Sequence, residues 1–160
     1  MNTLIAEQAL QVSRRFKAPR ERVFAFFSSA EAIQQWFGCG PPHVIECSAD
    51  FRVGGSYRFS SYNPETAQGA VAVGEYLEIT PPSKIVHSWK WENDEDWVGC
   101  ESLVTFEFRA FGDETELHLT HTGFPSEDSC QKHTYGWNAC VEKLEALLNG
   151  APVPTFKACS

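Results

Sequence analysis

The chain of 160 residues carries 21 acidic against 13 basic side chains, a formal charge of −8, which disfavours nucleic acid and anionic membrane surfaces as partners. Its length suits one domain spanning residues 1–160, with a core over about 9–150 and an irregular tail over about 151–160. No apolar run reaches membrane-span length and no basic-then-apolar leader opens the chain, so a cytoplasmic location is the expectation.

Residues 9–16 alternate, with Leu10, Val12, Arg14 and Phe16 on one face, as in a strand. Pro19 suits the first turn of a short helix that groups Val23, Phe24 and Phe27. Ser28 and Glu31 have capping-box spacing and predict a second short helix through Ile33 and Trp36. Gly38 and Gly40-Pro41-Pro42 then break it. From there to Thr122 the chain reads as an antiparallel meander, with strands over 44–51, 56–62, 70–79, 84–91, 100–111 and 115–122. The last two pair across Gly112-Asp113, a hairpin signal. The acidic run 93–96 reads as a solvated loop tip.

Residues 126–150 predict one long helix. Ser126 is a good N-cap, Glu127 and Asp128 suit the first turn, and Asn149-Gly150 is a stop signal. Trp137, Cys140, Val141, Leu144 and Leu148 form its apolar stripe. A strand, two short helices, six strands and a long helix pack most economically as an α+β antiparallel sheet gripping the last helix. A cavity between that sheet and helix is where a ligand would go.

Period-two alternation assigns the inner faces. Tyr57 and Phe59 lie together; so do Ile85, His87, Trp89 and Trp91, then Val104, Phe106 and Phe108, then Leu117, Leu119 and His121. On the long strand Val71, Val73, Glu75, Leu77 and Ile79 are in phase, which places Glu75 inward unless a bulge at Gly74 turns it out. The expected ligand-binding set is therefore Tyr57, Phe59, Glu75, His87, Trp89, Trp91, Phe106, Phe108 and His121, with His133, Trp137 and Cys140 from the helix. Glu75, His87 and His121 are also the candidates for general acid–base work, since burial tunes such groups. A histidine on an apolar face is more commonly a satisfied core residue than a catalyst.

The six cysteines show no CxxC or zinc-finger spacing and read as reduced. His118 and His121 fall on opposite strand faces, and no dinucleotide, P-loop or nucleophile-elbow motif occurs, so neither a metal nor a cofactor is expected.

Several stretches resemble one family in order. They are residues 16–24 (FKAPRERVF), 32–36 (AIQQW), 50–57 (DFRVGGSY), 74–82 (GEYLEITPP) and 120–124 (THTGF), then Gly136-Trp137 with Leu144, Leu147 and Leu148. They resemble stand-alone proteins akin to the C-terminal domain of the activator of the 90-kDa heat-shock protein ATPase, within the START/SRPBCC superfamily. The resemblance implies a helix-grip (birch-pollen-allergen-like) fold of about seven antiparallel strands around the C-terminal helix. It also implies binding of a small hydrophobic molecule, with two alternatives: an enzyme of the polyketide cyclase/aromatase type, or a chaperone-interacting protein. For the chaperone alternative the acidic loop ending at Trp97 is the candidate docking surface. Monomer and homodimer both remain open.

Overall fold

The computed structural model describes residues 9–38 and 43–154. Seven strands form one antiparallel sheet: β1 (Ala9–Phe16), β2 (Val44–Ala49), β3 (Ser56–Asn63), β4 (Gln68–Thr80), β5 (Lys84–Trp91), β6 (Ser102–Phe111) and β7 (Glu114–Thr122). Their order is β1-β7-β6-β5-β4-β3-β2, so the chain crosses once from β1 to the far edge and then meanders back. Two short helices, α1 (Arg20–Ala25) and α2 (Ala30–Trp36), make that crossing, and α3 (Glu127–Asn149) closes the chain over one face.

Local chemistry sets the helix ends. Pro19 is the N-cap residue of α1. The cap of α2 is Ser29, whose hydroxyl accepts from Ala32 N–H at 3.2 Å, one residue later than the capping-box spacing implies; Ser28 instead donates to the Ala25 carbonyl at 3.2 Å. At α3 the expectation holds at both ends. The Ser126 hydroxyl accepts from Ser129 N–H at 3.1 Å, and Gly150 adopts a left-handed φ of 68° while Ala151 N–H reaches back to Ala146 O at 2.9 Å. Arg22 donates to Leu148 O at 3.0 Å, which holds the end of α3 beside α1. Arg14 of β1 meets Glu145 at 2.6 Å and fixes the helix over that sheet edge.

The core lies between the sheet and the three helices. Phe16, Ile85, Val104, Phe108, Leu117, Leu119 and Leu144 are all fully enclosed. Phe27 stacks at 4.8–5.1 Å on Phe106 and Phe108, and at 4.9 Å on Trp36. The outward face carries charge, as in Arg58–Glu92 at 2.9 Å and Arg109–Glu107 at 3.2 Å.

Strand β4 departs from the sequence reading. Its buried residues are Ala72 and Tyr76, not the valines, and Glu75 is exposed on the opposite face. A register shift between Tyr76 and Glu78 brings Ile79 back opposite Ile85. The irregularity thus lies after Glu75 rather than at Gly74. The ladder between β4 and β5 is also interrupted opposite Gly74 and Glu75. There the Ser88 carbonyl takes the Tyr57 hydroxyl, and the Ser88 hydroxyl accepts from Glu75 N–H at 3.0 Å.

A Cβ at position 74 would collide with the Ser88 carbonyl and come within 2.6 Å of the Tyr57 hydroxyl. Gly136, on α3, has nothing within 4 Å of the same position. Gly74→Ala should therefore lower stability in urea unfolding by about 1–3 kcal/mol through overpacking. Gly136→Ala should raise it by about 0.5–1 kcal/mol through helix propensity. Equal effects of the two would contradict the close approach at Gly74.

Candidate functional site

The inner face of β5, β6 and β7 meets α3 through hydrogen bonds between aromatic side chains. Trp137 donates its indole N–H to His121 Nδ1 at 3.0 Å. Since Nδ1 accepts, the proton sits on Nε2, which donates to the Ser102 hydroxyl at 2.8 Å; that hydroxyl donates in turn to Trp89 O at 2.7 Å. One turn earlier on α3, His133 uses the other tautomer. Its Nδ1–H donates to Ser129 O at 2.8 Å, and Nε2 accepts from Trp91 at 2.8 Å and Trp89 at 3.3 Å. Trp97, Phe124 and His121 pack around His133 with ring centroids 4.9–5.6 Å away.

These imidazoles are neutral by construction. Protonation of His133 would turn an acceptor for two indoles into a donor, and protonation of His121 would orphan the Trp137 N–H. Burial lowers the pKa of His121 to about 2, with His133 and His87 reinforcing the effect, and burial lowers that of His133 as well. His87 is buried among Tyr57, Tyr76, Trp89 and Phe106. It donates Nδ1–H to Ser88 O at 2.9 Å and is lowered to about 4 by burial.

The residues singled out from sequence thus fall into separate groups. Trp89, Trp91, His121, His133 and Trp137 form the bonded network. Trp137 faces Trp89 and Phe106 at 5.2 and 5.8 Å, while Trp91 turns to Trp89 and His133. Tyr57, Phe59 and His87 form a second group toward β3, and Phe59 is covered by Phe37. Phe108 lies at the other end, against Phe24 and Phe27. Cys140 faces the sheet from α3.

Glu75 is the correction: it stands on the far side of the sheet from His87 and His121. It lines an open outer cleft of about 430 Å³ with Ser56, Arg58, Ser88 and Glu101. Trp97 is a second correction to the surface reading. It is buried in a short 3-10 turn, Glu95–Trp97, so its indole packs under Phe124 and His133 instead of presenting a docking surface. The acidic residues before it remain exposed.

Between sheet and α3 runs a narrow gap lined by Phe27, Trp36, Phe106, Trp137, Cys140 and Leu144. Its empty space sums to about 180 Å³, and it is nowhere wide enough for a water molecule. Near Gly38, which follows α2, lie two polar groups that sequence reasoning missed. Lys143 is buried on α3, with its ammonium donating to the Gly38 carbonyl. Ser61 of β3 has a buried hydroxyl without a hydrogen-bond partner among the described residues.

The comparisons agree with this architecture. The model of the activator of Hsp90 ATPase homolog 1-like protein family matches residues 17–149. The chain belongs to that family. Its fold is the helix-grip fold of the family's solved members. The structure of an AHSA1 protein from Silicibacter pomeroyi is 27% identical with a TM-score of 0.75, covering 88% of this chain and 97% of that one. A protein from Chromobacterium violaceum shares the fold at 22% identity and a TM-score of 0.76, covering 88% and 96%. CalU16 from Micromonospora echinospora is 24% identical with a TM-score of 0.65, covering 88% and 74%. No curated protein matches the sequence. Among the described residues no helix is long and apolar enough to cross a membrane.

The neutral histidines give a pH prediction with a definite sign. His87, His121 and His133 take up protons near pH 6.5 when unfolded but only at lower pH when folded. Stability should be complete above about pH 6.5 and fall below it by up to about 1.4 kcal/mol per pH unit for each imidazole. Urea midpoints at pH 7.5 and 5.0 measure this, and His121→Ala should both reduce the dependence and cost about 3 kcal/mol at pH 7.5. A midpoint independent of pH over that range would contradict buried neutral imidazoles.

Proposed function

We propose that this family member binds a small hydrophobic molecule between the sheet and α3. The observation that carries the reading is the gap beside Trp137. It is a seam, a line of parting between packed side chains and not a standing cavity, since no water-sized group fits it in this conformation. Apolar and aromatic side chains line it on both sides, Phe106 and Leu119 from the sheet and Trp137, Cys140 and Leu144 from α3. Walls of that composition are usual in small-molecule sites.

The seam is closed in this conformation, so binding requires α2 and the neighbouring Phe37 to move away from α3. The ties of α3 named so far run to other elements. Arg14 and Arg22 hold the C-terminal turns of α3, and the indole–imidazole network holds its N-terminal half. The expected ligand-contact residues are then Trp36, Phe59, Phe106, Trp137 and Cys140, with Trp89 behind them. The histidines keep the opposite wall rigid and uncharged.

For the polyketide-cyclase alternative, Glu75 lies outside and both ring nitrogens of His121 are engaged, which leaves His87, bonded through Nδ1 to Ser88 O and enclosed by aromatic rings, as the remaining candidate of the three.

N-phenyl-1-naphthylamine, a neutral apolar fluorophore, provides the test. It should bind saturably with quenching of tryptophan emission, and at about 100 times its dissociation constant it should stabilise the fold by about 2.7 kcal/mol. Leu144→Trp, which fills the seam, should abolish binding. Absence of saturable binding and of any thermal shift, or undiminished binding by Leu144→Trp, would refute the reading.

A further inference from the structure

The outer face of the sheet, away from α3, carries a hydrogen-bonded trio separate from the seam. Ser13 of β1 and His118 of β7 stand directly opposite each other in the antiparallel ladder. Glu116 lies two residues before His118 on the same strand, and so on the same face. The Ser13 hydroxyl is 3.1 Å from His118 Nδ1, and Glu116 Oε1 is 2.7 Å from His118 Nε2. A carboxylate only accepts, so the ring proton sits on Nε2, and the Nδ1 lone pair of the neutral ring faces the serine hydroxyl.

The neighbouring charges support this arrangement. Arg15, opposite Glu116 on β1, approaches its other oxygen at 3.7 Å. The hydrogen bond from His118 holds the Glu116 carboxyl below the usual range, and the charges of His118, Arg15 and Arg109 add to the effect. From β6, Glu107 is the cross-strand neighbour of His118, and Arg109 engages the Glu107 carboxylate at 3.2 Å. Ser13 is exposed on the outermost strand, so a reactant reaches its hydroxyl without any opening of the fold. A nucleophile, a base within hydrogen-bond reach and a third group orienting that base together activate a serine.

We propose that Ser13, His118 and Glu116 form a nucleophilic site that accepts the acyl group of a small activated ester. Ser13 Oγ bonds to the ester carbonyl carbon as His118 Nδ1 takes the hydroxyl proton. The bond from that carbon to the leaving oxygen then breaks, and the proton passes from His118 to the departing alkoxide. Water repeats the sequence, which releases the acid and restores the serine. Glu116 positions the ring and balances the imidazolium that forms in each half. The three side chains are exposed or half-buried, which suits a small reactant rather than one that needs an enclosing pocket.

A fluorophosphonate probe reacts with activated serines by forming a P–O bond and releasing fluoride. Incubation with the whole protein at pH 8, followed by peptide mass spectrometry, should find the phosphonyl group on Ser13. Under the same conditions p-nitrophenyl acetate should place a transient acetyl group on that residue. His118→Ala should slow phosphonylation by at least about a hundredfold, the usual contribution of a positioned base. Glu116→Ala should slow it about tenfold, as for a lost charge-assisted hydrogen bond. It should also move part of the His118 ring proton from Nε2 to Nδ1 in nitrogen–proton NMR correlations. Exposed contacts add little to stability, so both variants should melt close to the parent. The urea-unfolded parent should leave Ser13 unlabelled, a comparison that decides the matter even where a variant does not fold. No label on Ser13 of the native protein, labelling there that survives His118→Ala, or equal labelling of the unfolded chain would overturn the proposal.

Discussion

Everything in this structure depends on how α3 is joined to the sheet, and that joint is polar. Two imidazoles in opposite tautomers accept three indole N–H groups. His121 takes Trp137 from the helix, and His133 on the helix takes Trp89 and Trp91 from the sheet. Buried indole and imidazole groups are expensive without partners and specific with them. A purely aliphatic joint would tolerate sliding of the helix by a turn, whereas this one has a single register. Its N-terminal half is thereby fixed, and the Arg14 and Arg22 contacts fix its C-terminal end.

The consequence for function is a division of the interior. On the network side the indoles of Trp89, Trp91 and Trp137 and the ring nitrogens of His121 and His133 all have partners. On the α2 side the seam beside Trp137 is apolar and closed in this conformation. A helix held at both ends beside an apolar seam can serve as one wall of a site. Family membership is compatible with both small-ligand and chaperone-directed roles; for the second, the burial of Trp97 leaves only the exposed acidic residues 93–96 of the loop read from the sequence.

Much of this was legible in the sequence, and where it was not the causes are specific. Both ends of α3 could be read because Ser126 and Gly150 act through local bonds that need no tertiary partner. The inner faces of β5, β6 and β7 followed from alternation because those central strands lack bulges. Strand β4 misled because hydropathy put its valines inside, while the space opposite is already taken by Tyr57 and Trp91 and admits only Ala72 and Gly74. Glu75 was lost with that phase. Ser29 displaced Ser28 as a cap because the turn after α1 uses the Ser28 hydroxyl on Ala25. Trp97 followed an acidic run and so read as surface, but a single 3-10 turn folds it inward. Lys143 was invisible for a different reason: charge normally marks the solvated side of a helix, and its burial is a tertiary fact.

The tautomers of His121 and His133 test the central claim of a neutral, hydrogen-bonded joint most directly. Long-range nitrogen–proton NMR correlations of the imidazoles, followed from pH 7.5 to 5.5, report which nitrogen bears the proton. The structure predicts a proton on Nε2 of His121 and on Nδ1 of His133 at pH 7.5, with His121 not titrating in that range. A shared tautomer, or a doubly protonated His121 at pH 5.5 in the folded protein, would contradict it.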